Sequence, residues 1–353
     1  MAETARRAFI ATLVGVSVVA VALALWKLKT VVLLIFLAFT ISAAMRPGVE
    51  ALHRRGLPRV AGVLVHYLVV AAVVAGVLWL AVPRAVDQID AAIANVPETR
   101  AQIGRAAQQS SGIKHDILVA LQHRLKRLPH ASEVVRPAAH ITVRAFEVIV
   151  AIFFVFASAA YWIFEREKLI DYVVALVPHR HRKTVRDTWH LIDLKLGSYV
   201  RGQGLLILIV AVLLSAAFWA IHEPYWLLLG SFAGIVEVVP VIGPISAGIL
   251  AIGVGLTKSW GVALAAGIVV LVQRQLEDYL IAPRVIGSAV GLSPLLVMIA
   301  VISSGILLGP LAVVLAIPAV AVLSTLVDVI VRDRDPAQED VPTVLFPAKE
   351  VER

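Results

Sequence analysis

The feature that most limits this chain is a set of uncharged apolar runs long enough to cross a bilayer. Gln203 to His222, for example, contains no Lys, Arg, Asp or Glu. A helix needs about 20 such residues to span the hydrocarbon layer. In lipid every backbone N–H and C=O must be satisfied internally, which favours helices for runs this uniform. Several runs of this kind follow one another, so the expected fold is an all-α membrane protein that crosses the bilayer repeatedly. The balance of 60% hydrophobic to 16% charged residues agrees, since soluble domains lie nearer a half and a quarter. The absence of cysteine removes disulfides, thiol catalysis and thiolate metal sites. The net charge of +8 reads as basic loops at a membrane face rather than as a nucleic-acid surface.

In chain order, residues 1–82 read as a three-span region. Ala8 to Trp26 is apolar after Arg6 and Arg7, and Thr30 to Met45 follows across Lys27-Leu28-Lys29. A retained helical hairpin fits this better than a cleaved signal peptide. Arg46 to Arg59 holds four arginines against Glu50, so it is expected on the cytoplasmic side, with the amino terminus beside it. Val60 to Val82 is the third run. Residues 83–140 read as an extracytoplasmic region, with an amphipathic helix over Ile113 to Leu128 that serves as an arm or lies on the interface. Residues 141–202 hold the fourth span and a basic loop, Glu165 to Arg201. Two crossings after the first basic loop, it should share that loop's side. His179 and His181 sit there among Arg180, Arg182 and Lys183, which suits lipid head groups and not a metal. Residues 203–331 read as a transport core with broken helices, and residues 332–353 as a disordered tail.

The unusual chemistry lies in that core. Two long apolar runs, Trp226 to Leu256 and Leu292 to Ile330, are each interrupted by Gly and Pro: at Pro240 with Gly243-Pro244, and at Gly309-Pro310 with Pro318. Proline removes a donor and obstructs the carbonyl four residues back. Such breaks in lipid make hairpins or kinks that line a cavity or a carrier site. Glu237 lies inside the first broken run, where a carboxylate needs a cation, a proton or water. Gln273, Arg274, Gln275, Glu277 and Asp278 crowd the end of the span between the runs, followed by Pro283 and Arg284. Helical spacing puts Arg274 beside Glu277 and Asp278. The candidate pathway residues are therefore Glu237, Gln273, Arg274, Glu277, Asp278 and Arg284. The candidate breaks are Pro240, Gly243, Pro244, Pro283, Gly309, Pro310 and Pro318. No catalytic motif, cofactor site or metal site is expected, and the chain does not read as an enzyme.

The segments YWIFEREKLIDYVVALVP (Tyr161 to Pro178), SYVRGQ (Ser198 to Gln203), GIVEVVPVIGP (Gly234 to Pro244), QLEDYLIAPRVIG (Gln275 to Gly287) and GLSPLLV (Gly291 to Val297) together resemble the autoinducer-2 exporter family of bacterial transporters. That resemblance implies about eight hydrophobic segments, an inner-membrane location and a homo-oligomer. It also implies export of autoinducer-2 or, in other members, sodium/proton antiport. The chain departs from the common pattern at Val241, where an aromatic residue is frequent, and at Gly309-Pro310, where a Gly-rich turn is usual. The expected function is alternating-access export of a small molecule such as autoinducer-2. The alternatives are a sodium or lithium/proton antiporter, a gated channel, and a scaffold that moves nothing. The expected partners are the lipid bilayer, a small-molecule or cation substrate and further copies of the chain.

Overall fold

The computed structural model describes residues 2–76, 79, 83, 138–239, 242–285, 293–339 and 341. Every regular element among them is helical. Five helices are long and apolar enough to cross a bilayer, and shorter apolar helices accompany them. The chain is an all-α membrane protein. The arm expected over residues 83–140 lies, apart from residues 83 and 138–140, outside the described residues.

The first expectation to fail is the amino-terminal hairpin. Helices α1 (Ala2–Lys27) and α2 (Lys29–Arg54) meet at Leu28, at φ −90° and ψ 11°, in the bridge region beside the helical one. Leu28 N–H donates to Ala24 O at 2.9 Å and Val32 N–H to Leu28 O at 3.0 Å, so the ladder runs on. Reversing two helices takes a loop of about 2–5 residues, and one near-helical residue only bends the path. The placing of the amino terminus beside the Arg46 to Arg59 segment depends on that reversal and loses its basis. Helix α3 (Arg59–Gly76) does turn back, with Val63 against Met45 and Val49.

Helix α4 (Ala138–Ala175) crosses next to α2, burying Val155 and Ala159 against Ala38. Helix α5 (Arg182–Ala220) follows after a short turn. The expected basic loop at Glu165 to Arg201 is therefore mostly helix. Loss of hydropathy marks where lipid ends, and backbone hydrogen bonding continues past it. Arg166 and Asp193, 3% and 5% exposed, face inward here.

Three further helices build the core: α6 (Trp226–Val236), α7 (Ile242–Lys258) and α8 (Trp260–Leu276). Val210 and Phe218 of α5, Ala233 of α6, Ala251 of α7 and Ala266 of α8 share one nearly solvent-free cluster. Small residues allow this closeness: a Cβ at Gly230 would meet Ser215 of α5, the packing device of helices in lipid. A π turn (Glu277–Ile281) and α9 (Ala282–Val285) extend α8. Helices α10 (Pro294–Leu308) and α11 (Pro310–Ile330) form a second hairpin. Its turn is Gly309, at φ 97° and ψ −176°, a region essentially reserved for glycine. Pro318 does not break α11, which runs through it with Pro318 buried. The proline forfeits its own N–H bond while the turns on either side stay helical.

The expected disordered end is partly ordered. Asp335 caps a 3₁₀ turn at Pro336–Gln338. Lys195 Nζ lies 2.6 Å from Glu339 Oε1, and Val341 is buried against Leu191. Residues 332–339 and Val341 thus strap the start of α5. The reason is local: an apolar Val two residues after an acid matches the Leu191/Lys195 face of α5.

Candidate functional site

The site depends on whether the first broken run is a hairpin or a kinked crossing. Lys258, at the end of α7, donates to the His222 carbonyl at 2.5 Å. His222 directly follows α5 and precedes α6. The end of α7 has therefore returned to the level where α6 began, and the run is a helical hairpin. The described part of its tip is Glu237 to Val239, and Pro240 and Val241 lie outside the described residues. Gly243 and Pro244 are not the tip; they are the second and third residues of α7. Proline is tolerated there because the first helical turn has no carbonyl to receive its N–H. Gly243 is needed for closeness, since a Cβ on it would come 2.2 Å from the Val236 carbonyl oxygen.

At this tip two helices hold Glu237. From α5, Gln203 Nε2 donates to the Glu237 carbonyl at 3.1 Å. From α8, Arg274 Nη1 stands 3.6 Å from Glu237 Oε1. The same Nη1 donates to Glu277 Oε1 at 3.0 Å, and Nη2 lies 2.8 Å from Asp278 Oδ1. Gln273 Nε2 donates to Glu277 Oε2 at 2.7 Å. The helical spacing that puts Arg274 beside Glu277 and Asp278 is the spacing seen, with Glu237 as a third acid brought in by the fold. Glu237 and Glu277 are 5% and 4% exposed. The side chains of Arg274 and Asp278 are 34% and 45% exposed. The cluster thus has an inner pair of carboxylates and an accessible rim.

Arg284 is not part of it. Its Nη1 donates to the Leu280 carbonyl at 3.1 Å, one turn back on its own helix. Pro283 follows the π turn, in which the Ala282 N–H reaches back to the Glu277 carbonyl. Widening the turn relieves the clash that proline imposes on the carbonyl four residues earlier. Gln203 is the residue sequence reasoning misses. Its amide opens the apolar run of α5 and reads as a boundary residue. The available signal is that it is buried-type company, two residues past Arg201, in the SYVRGQ segment.

The depth follows from helix rise. Gln203 lies 17 residues before Ala220 at the end of α5, which is about 26 Å of helix. The hairpin's first arm, the 11 residues of α6, rises about 16 Å, which is shorter than a full span of roughly 30 Å.

A sequence model described as "AI-2E family transporter" matches residues 16–332. The chain belongs to the AI-2E family. Two relatives bear the name "Putative transport protein": YrrI of Bacillus subtilis (strain 168) and MT0215 of Mycobacterium tuberculosis (strain CDC 1551 / Oshkosh). YrrI is 26% identical over 312 residues, covering 87% of this chain and 88% of its own. MT0215 is 28% identical over 315 residues, covering 86% and 84%. The AI-2E match takes in the hairpin, the acid cluster and the α10–α11 turn alike.

A second polar centre of this AI-2E chain joins α2, α4 and α5. Arg166 Nε donates to Asp193 Oδ2 at 2.5 Å, and its Nη1 to Glu167 Oε1 at 2.5 Å. Arg166 Nη2 lies 3.1 Å from His190 Nδ1. Arg46 Nη1 reaches the same Asp193 oxygen at 3.4 Å. Arg46 and Arg166, which read as loop cations, instead anchor three helices to one buried carboxylate. His179 and His181 form an exposed 3₁₀ turn.

Proposed function

We propose that this chain is a secondary transporter of the bacterial inner membrane that works by alternating access. The Glu237–Arg274–Glu277–Asp278 cluster is its coupling site. One observation carries the reading: two buried carboxylates from different helices, Glu237 and Glu277, reach the same guanidinium nitrogen. Three acids face one cation, so the site is short of positive charge and gains by taking up a proton or a small cation. Because Glu237 rides on the α6–α7 tip and Glu277 on α8, a change in bound charge alters what holds the tip to α8. That is the differential interaction a carrier needs between its two states.

Membership of the AI-2E family supports one cargo reading. Export of a small polar molecule such as autoinducer-2 is the leading cargo, moved by a chain that functions as a homo-oligomer. Sodium or lithium/proton antiport is the second reading, and the excess of acid favours it. A scaffold that moves nothing gives no account of two acids buried against one guanidinium at the hairpin tip.

The test is a reconstituted vesicle loaded with a pH-sensitive dye. Addition of sodium or lithium to wild-type protein should dequench the dye if cation movement is coupled to protons. No response to any cation over a broad pH range removes the antiport reading. It leaves export of an organic solute to be followed by direct uptake.

A further inference from the structure

Another buried acid lies at the other end of the core, away from the cluster. Glu223 occupies the turn between α5 and α6 and is 2% exposed. Neither of its carboxylate oxygens has a hydrogen-bond partner. Its backbone is fixed: the Glu223 N–H donates to the Phe218 carbonyl at 2.8 Å. His222 and Tyr225, on either side, take left-handed φ values of 56° and 57°, which non-glycine residues seldom adopt. The turn is held in an uncommon shape that keeps this acid inside.

The nearest cation does not neutralise it. Lys258 directs its ammonium to the His222 carbonyl at 2.5 Å. The carboxyl instead faces the α7–α8 junction. A Cβ placed on Gly255 would come 3.2 Å from Glu223 Oε2 and 2.7 Å from the Ala263 Cα of α8. Among the described residues, the titratable groups near Glu223 are His222 and Tyr225 in its own turn and Lys258 on α7. Helix α5 carries no charge after Arg201, α6 carries none, and α8 carries none before Arg274.

We propose that Glu223 is a proton-binding site, and that its protonation latches the α7–α8 end against the α5–α6 turn. A neutral carboxyl is tolerated in an apolar junction, whereas an unpaired carboxylate there is far more costly. Burial pushes the Glu223 carboxyl up to about 7, with Lys258 opposing the shift. The sign follows directly. Below that pH the group is neutral and the junction stays closed. Above it the group ionises, and the charge is relieved by moving toward water, which parts α7 from the turn. The latch does not depend on the reading of the Glu237 cluster, because it is measured without transport.

The experiment is an infrared pH titration of the purified full chain in lipid nanodiscs, comparing wild type with Glu223→Gln. A carboxyl C=O band that is present below neutrality, fades as the pH rises through about 7, and is absent from Glu223→Gln is the expected result. An unchanged band in Glu223→Gln overturns the proposal. So does a band abolished by sodium at fixed pH, which would make the site a cation site. The chain has no cysteine, so spin labels at Trp219→Cys and Gly261→Cys report the junction without background. Their separation should widen on alkalinisation in wild type and stay short in Glu223→Gln. Equal pH dependence in both overturns the latch. Glu223→Asp, which keeps the acid, should retain the titration and serves if the Gln variant does not fold.

Discussion

Placing a methyl group on Gly243 strikes at the contact that closes the α6–α7 hairpin. The new Cβ would lie 2.2 Å from the Val236 carbonyl oxygen, 2.7 Å from the Val236 carbonyl carbon and 3.1 Å from the Glu237 nitrogen. All three are backbone atoms, so no side chain can rotate out of the way. Restoring ordinary contact requires the end of α6 and the start of α7 to separate by about 1 Å in a close-packed interior. Overpacking of this kind costs about 1–3 kcal/mol. It also carries Glu237 away from Arg274, which already spans 3.6 Å. Gly253→Ala is the internal control, because a Cβ there meets nothing within 4 Å. That change should be neutral, or stabilising by up to about 1 kcal/mol through helix propensity. Reversible unfolding in mixed micelles reads both variants. Gly243→Ala should unfold at clearly lower denaturant than Gly253→Ala. Equal midpoints would refute the hairpin closure described above.

Two further outcomes follow from the polar contacts. Arg274→Gln leaves Glu237 and Glu277 buried without their shared cation and should destabilise the chain by about 2–3 kcal/mol, less than a fully buried pair because Arg274 is partly exposed. Adding Glu277→Gln should recover part of that loss, and a double-mutant cycle on unfolding midpoints measures the coupling. Lys195→Ala removes the ion pair with Glu339 and should free the strap. Trypsin should then cut after Arg332 and Arg334 faster than in wild type, because the ion pair that holds the strap is gone.

Sequence reasoning reaches furthest where lipid makes a residue expensive. Glu237 declares itself because a carboxylate inside an apolar run needs a reason. The Arg274–Glu277–Asp278 set is legible because helix periodicity alone brings it together. What brings Glu237 to Arg274 is the reversal between α6 and α7, and Gly with Pro signals a break without saying whether the chain turns back. The Lys258–His222 contact distinguishes a hairpin from a kink. Proline is an equally ambiguous sign elsewhere: Pro310 starts a helix after Gly309, while Pro318 sits inside one. Charge in a polar segment is the least legible feature. Arg166 and Asp193 lie in a stretch rich in Lys and Arg, and nothing in the local pattern separates the buried pair from its solvated neighbours. The nearby Trp162 and Trp189, stacked at 6.1 Å, are the one hint that this stretch has an interior. Leu28 shows the converse limit, because a Lys-Leu-Lys interruption between apolar runs suits a turn but does not oblige the helix to end.

The central claim is that the buried acids at the hairpin tip couple transport to ion or proton movement. Proton flux in dye-loaded vesicles tests it most directly, comparing wild type, Glu237→Gln, Glu277→Gln and Arg284→Gln at matched incorporation. Arg284 bonds only to its own helix among the described residues, so Arg284→Gln should keep the wild-type proton flux that accompanies transport while Glu237→Gln and Glu277→Gln lose it. Wild-type flux in folded Glu237→Gln and Glu277→Gln protein would contradict the account.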